Sequence, residues 1–165
     1  MPQLMDKPMD GWQVLVDLLK PGGLMKIGLY SELARKPIHR VREKISSLRL
    51  RGCKTDIREF RGVLVESHGE DRKHLIESGD FFSLSAFRDL IFHVQEHRFT
   101  LPQIRGCLNE LRLKFCGFEQ KDAVSKFRAL YGREAGIYDL LLWHQYEESH
   151  PRTFAGMYQF WCQKL

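Results

Sequence analysis

The chain has 165 residues, 43% hydrophobic and 12% aromatic, enough apolar surface for one folded domain or a large piece of one; this excludes a disordered chain and two full domains. Twenty-six Lys and Arg against 21 Asp and Glu leave a formal charge of +5, too small an excess to mark a nucleic-acid binder by itself. The start, Met1-Pro2-Gln3-Leu4-Met5-Asp6, lacks the basic-then-apolar pattern of an export signal and no run is long enough to span a bilayer, so a cytoplasmic protein with no membrane partner is expected.

Asp10, with Gln13 three residues on, makes a capping-box pattern ahead of the stripe Trp12, Leu15, Val16 and Leu19, which predicts an amphipathic helix. Lys20-Pro21-Gly22-Gly23 closes it. Leu24 to Tyr30 is then nearly all apolar, the pattern of an interior strand covered on both faces. From Arg35 to Lys54, eight basic residues against the single acid Glu43 surround Ile38, Val41, Ile45 and Leu48, which reads as one basic amphipathic helix. A second helix is predicted around Ile57, Phe60 and Leu64, a loop from Ser67 to Asp80, and a third helix from Ser85 to Val94. That third helix turns Phe87, Leu90, Ile91 and Val94 inward and places Asp89, His93 and Glu96 on one opposite surface.

Thr100-Leu101-Pro102-Gln103 repeats the capping box and opens a helix through Ile104, Leu108 and Leu111. Lys114 to Glu119 reads as a strand, Val124, Phe127 and Leu130 as a helix, and Leu140 to Tyr146 as another, stopped by His150-Pro151. The aromatic tail Met157 to Cys162 reads as a final strand. The fold class is therefore α/β, yet three strands seldom make a doubly covered sheet; they are expected to pair with another chain or to be the later part of a longer domain. The cysteines, Cys53, Cys107, Cys116 and Cys162, form no C-x-x-C pair and are expected as buried free thiols.

The stretch Trp12 to Ser31, with its Pro-Gly-Gly turn, resembles the helix, turn and fifth strand of class I S-adenosylmethionine-dependent methyltransferases, in a bacterial subfamily often linked to tetratricopeptide repeats. Phe82 to His97, Phe99 to Ile104, Cys116 to Glu119 and His150 to Trp161 resemble the same subfamily in the same order. The resemblance implies the distal half of a Rossmann-like sheet, formed by residues 1–32 and 100–165, with a helical insertion or substrate lid at 33–99. It implies S-adenosylmethionine as cofactor of a complete domain, an unidentified small-molecule or protein methyl acceptor, and a partner in the missing amino-terminal half or a tetratricopeptide-repeat region. The family's glycine-rich turn after the first strand and acidic residue after the second precede the part matched here. Gly22-Gly23 is no substitute, because it ends a helix and opens a strand, the reverse of a nucleotide loop. The chain alone is therefore expected to bind no cofactor and to be inactive.

Methyl transfer needs alignment of nucleophile and methyl group and, for protic nucleophiles, removal of a proton. Tyr30 and Ser31, at the carboxyl end of an interior strand, stand at the edge where α/β sheets take ligands, though Tyr30 could equally cap the core. Asp89, His93, Glu96 and His97 could bind substrate or supply a base, or form a solvated face with ordinary ion pairs. His93-Val94-Gln95-Glu96-His97 also fits the H-x-x-E-H zinc pattern, but no downstream element supplies a third ligand, so no metal is expected. The basic helix lacks aromatics for base stacking, which favours a solvated face that could draw in an anionic substrate. The alternative function is a non-catalytic interaction module that pairs with a partner chain or binds nucleic acid through residues 35–54.

Overall fold

The computed structural model describes residues 8–66, 70–77, 79–92, 96–132 and 136–165. Helix α1 (Pro8–Leu18) already includes Asp10, which the capping-box pattern places just ahead of the first helical residue, Gly11. Proline is tolerated in a first helical turn, so Pro8 can open it; Asp10 then lies inside that turn, where its charge suits the positive helix end. Gln13 reaches forward instead, its Nε2 donating to Asp17 Oδ1 at 2.8 Å. The turn that follows needs both its glycines. Gly22 has φ +77°, and its N–H donates to Lys164 O at 2.9 Å, while a Cβ on Gly23 would stand 2.8 Å from Lys20 O.

The turn delivers strand β1 (Leu24–Ser31), which passes without a break into helix α2 (Glu32–Ser47). Helices α3 (Lys54–Glu66), α4 (Glu70–Glu77) and α5 (Leu84–Phe92) follow, with a 3₁₀ turn at Gly79–Phe82. Strand β2 (Arg98–Phe99), helix α6 (Leu101–Glu110), strand β3 (Leu113–Phe118), helices α7 (Lys121–Tyr131) and α8 (Leu140–Ser149) and strand β4 (Tyr158–Lys164) complete the order. The fold is α/β, with a four-stranded mixed sheet in the order β2-β1-β4-β3. The last strand lies between the first and third, antiparallel to both, and β2 runs parallel to β1. Periodicity finds three of these strands; β2, two residues long, is too short to carry a pattern.

Two compact units divide the chain, one made of the residues up to Ala34 with His97–Leu165, the other of Arg35–Glu96. In the first, the sheet covers its helices with one face. Ile27 and Ser31 of β1 are buried and Met25 and Leu29 partly so, but Lys26 and Gly28 are exposed and Leu24 is 56% exposed. The expectation that β1 is covered on both faces is thus overturned: its apolar run conceals a period-2 strand whose outer positions hold Leu24, Lys26 and Gly28. The same alternation buries Tyr158, Phe160 and Cys162 of β4 and leaves Trp161 41% exposed. Against the covered face pack Trp12 and Val16 of α1, Ile104 and Leu108 of α6, Phe127 of α7 and Trp143 of α8. Phe127 stacks on Trp143 with centroids 3.9 Å apart, and Thr100 and Gln103 close the predicted capping box on α6.

The second unit has its own core, in which Ile38, Val41 and Ile45 meet Ile57, Phe60, Leu64, Leu75, Phe87 and Leu90. Its helices differ from the sequence reading at three places. The basic stretch 35–54 is not one helix: α2 ends at Ser47, and Arg49 (φ +54°) and Gly52 (φ +73°) turn the chain into α3. The polar stretch read as a loop contains α4, because Leu75 anchors it with no exposure and Ile76 packs beside it. Helix α5 is described as far as Phe92, residues 93–95 lie outside those described, and Glu96 is not helical. Among the cysteines only Cys162 is buried, with its thiol pushed up to about 11 by that burial; Cys107 and Cys116 are half-buried and Cys53 is exposed. No described helix is long and apolar enough to cross a membrane.

Candidate functional site

At the carboxyl end of β1, three polar side chains with no exposed surface meet inside an aromatic core. Ser31 ends the strand, Glu147 lies in the last turns of α8 and Tyr158 begins β4. The Ser31 hydroxyl donates to Glu147 Oε1 at 2.5 Å and the Tyr158 hydroxyl donates to Oε2 at 2.6 Å. Ser31 Oγ also accepts the Ala34 N–H at 3.0 Å, so one serine both satisfies a free donor of the first turn of α2 and holds the carboxylate.

The electrostatics are those of an acid taken out of water. Burial raises the pKa of Glu147, against the opposing pull of the Ser31 and Tyr158 hydrogen bonds and of nearby His144. Burial, and then the adjacent carboxylate, push the Tyr158 hydroxyl far above its ordinary range. The Ser31 and Tyr158 hydroxyls are spent on Glu147 and occupy both of its carboxylate oxygens, so these three are positioning residues. They tie together the ends of β1, α8 and β4 at the strand terminus where ligands of α/β sheets lie. Tyr30, the neighbour of Ser31, is half-buried at that edge and pairs with Arg98 of β2, while Glu32 pairs through its carboxylate with Arg98 Nε at 3.4 Å.

The other residues singled out from the sequence have different surroundings. His93 lies outside the described residues. Asp89 is exposed on α5, whereas Glu96 lies beyond the end of that helix with its side chain buried, so the expected shared surface does not form. Glu96 Oε2 accepts Arg42 Nη2 at 2.9 Å and Oε1 stands 3.4 Å from Arg35 Nε. Arg42 also donates from Nε and Nη2 to Leu90 O, at 3.0 and 2.7 Å, which neutralises a carbonyl near the negative end of α5. Two charges of the basic stretch thus turn inward to fix the second unit. His97 is half-buried in the first unit, one residue before β2. No group of three metal-ligating side chains occurs among the described residues.

Glu147 and Tyr158 escape sequence reasoning, yet a signal for the acid exists. Leu140, Trp143 and Glu147 fall on one stripe of α8, so the glutamate occupies a core position where an apolar residue is expected.

The residues present do not fit S-adenosylmethionine. The glycine pair at 22–23 is taken up by backbone pairing to Lys164 and by close approach to Lys20, and no described strand opens into a helix through a glycine-rich turn. No protein-family model matches the chain, and no curated protein matches it.

Proposed function

We propose that the chain is the substrate-side, carboxyl-terminal part of an S-adenosylmethionine-dependent methyltransferase whose cofactor site belongs to another segment or chain. One observation carries the reading. Ser31 and Tyr158 come from two separate stretches that resemble the methyltransferase subfamily, and both hydrogen-bond the same buried carboxylate at the ligand edge of the sheet. The strand β1 adds support: among the described residues, Leu24 to Leu29 pair only with β4, and β2 reaches only Tyr30 and Ser31. A parallel sheet extends along that kind of edge. On this reading the chain supplies the acceptor side, with Tyr30 at the strand end and the buried serine, glutamate and tyrosine holding that end in place.

Calorimetry with S-adenosylmethionine tests it in two arms. The 165-residue chain should show no saturable binding; the chain extended by in-frame upstream sequence, or mixed with a partner carrying a glycine-rich strand–turn–helix, should bind and transfer a labelled methyl group. Saturable micromolar binding to the 165 residues alone would put the cofactor site here and overturn the division of labour. An upstream frame with no such motif, together with no methyl transfer in any mixture, would leave an interaction module as the function.

A further inference from the structure

We propose that the cleft between the start of α7 and the segment after α8 binds a small zwitterion of amino-acid type, with an ammonium group, a carboxylate and an apolar side chain. The cleft has a volume of about 620 Å³, within the range of small-molecule sites, and lies wholly in the first unit. It is remote in sequence from Tyr30 and uses no residue of the Ser31–Glu147–Tyr158 constellation.

Its chemistry is divided by charge. Gln120, at the N-cap of α7, does not cap the helix; its Nε2 donates to Met157 O at 2.7 Å, and its Oε1 is buried with no hydrogen-bond partner among the described residues. A buried acceptor left unmade costs free energy that a ligand N–H restores. Asp122, in the first turn of α7, adds a negative charge to the same lining. Lys126 and Arg152 also line the cleft, and Lys126 provides a cation for a carboxylate. Asp122 and Lys126 are four residues apart on one helix, the spacing of an ordinary ion pair, yet neither forms an ion pair among the described residues, so both charges are left for a ligand. The stacked rings of Tyr146 and His150, centroids 4.4 Å apart, also line the cleft and offer an apolar wall. His150 Nδ1 is engaged by Tyr146 O at 3.1 Å, which fixes the ring orientation.

The test is a nitrogen-15 NMR titration of the full chain with L-phenylalanine. Saturable shifts confined to residues around Gln120, Lys126 and Arg152 are expected. N-acetyl-L-phenylalanine, which lacks the ammonium, and L-phenylalaninamide, which lacks the carboxylate, should each bind at least ~10-fold more weakly. Lys126→Ala, an exposed substitution that leaves the core untouched, should weaken L-phenylalanine at least ~10-fold and leave the spectrum elsewhere unchanged. No saturable shift at millimolar ligand, or shifts indifferent to both blocked analogues and to Lys126→Ala, would overturn the proposal.

Discussion

Replacing Glu147 separates the cost of a buried charge from the value of its hydrogen bonds. The raised pKa means that the folded state holds the proton more tightly than the unfolded chain does. The stabilising contribution is therefore present below the ordinary carboxylate range and is lost as pH rises through the raised value. One proton limits the slope to about 1.4 kcal/mol per pH unit inside that window. Glu147→Gln keeps the shape and one acceptor, so at about pH 4 it should cost about 1 kcal/mol, and the deficit should shrink or reverse by about pH 8 because only the native acid ionises. Glu147→Leu removes the acceptor for two buried hydroxyls and should cost about 2–6 kcal/mol, at ~1–3 for each stranded donor. All three tryptophans, Trp12, Trp143 and Trp161, belong to the same unit, so urea unfolding followed by tryptophan fluorescence reads this region directly. A glutamine variant whose deficit grows with pH, or a leucine variant as stable as the parent, would refute the reasoning.

Glu96→Ala removes the buried carboxylate that faces Arg35 and Arg42 and should destabilise the second unit by about 3 kcal/mol, seen by far-ultraviolet circular dichroism on heating. Phe127→Ala empties a fully buried site against Trp143 and should cost about 3–5 kcal/mol, with a red shift of tryptophan emission. Thr100→Ala breaks the capping box of α6 at a cost of about 1 kcal/mol, which Thr100→Ser should largely recover in the same urea assay.

The elements that sequence reasoning places correctly are those whose signal is local. Thr100 and Gln103 are three residues apart and make the bonds their spacing predicts; Phe127 and Trp143 stand on helical stripes that face a core. What is missed depends on contacts distant in sequence. Helix α4 is polar except for Leu75 and Ile76, and it is the far side of its unit's core, not its own pattern, that makes it worth forming. The break at Arg49 and Gly52 leaves no mark in the charge pattern, because basic residues continue across it. At the candidate site Tyr30 and Ser31 are legible from the strand that carries them, but the bond from Ser31 to Glu147 spans 116 positions and no spacing rule reaches so far. Asp89 and Glu96 are assigned a common face on the assumption that the helix continues to Glu96, and Glu96 is not helical.

The placement of β4 also bears on the order in which the molecule can be made. Tyr158 to Lys164 are synthesised last among the described elements, yet they form the middle of the row β1-β4-β3, and Tyr158, Phe160 and Cys162 have no exposed surface. Until that segment leaves the ribosome, β1 and β3 have no common neighbour, and the aromatic core between them faces water with two unpaired strand edges. Arg35–Glu96, by contrast, has its own apolar cluster and all of its helices available about seventy residues earlier. A chain halted before Tyr158 would thus hold one unit able to collapse and one unable to close.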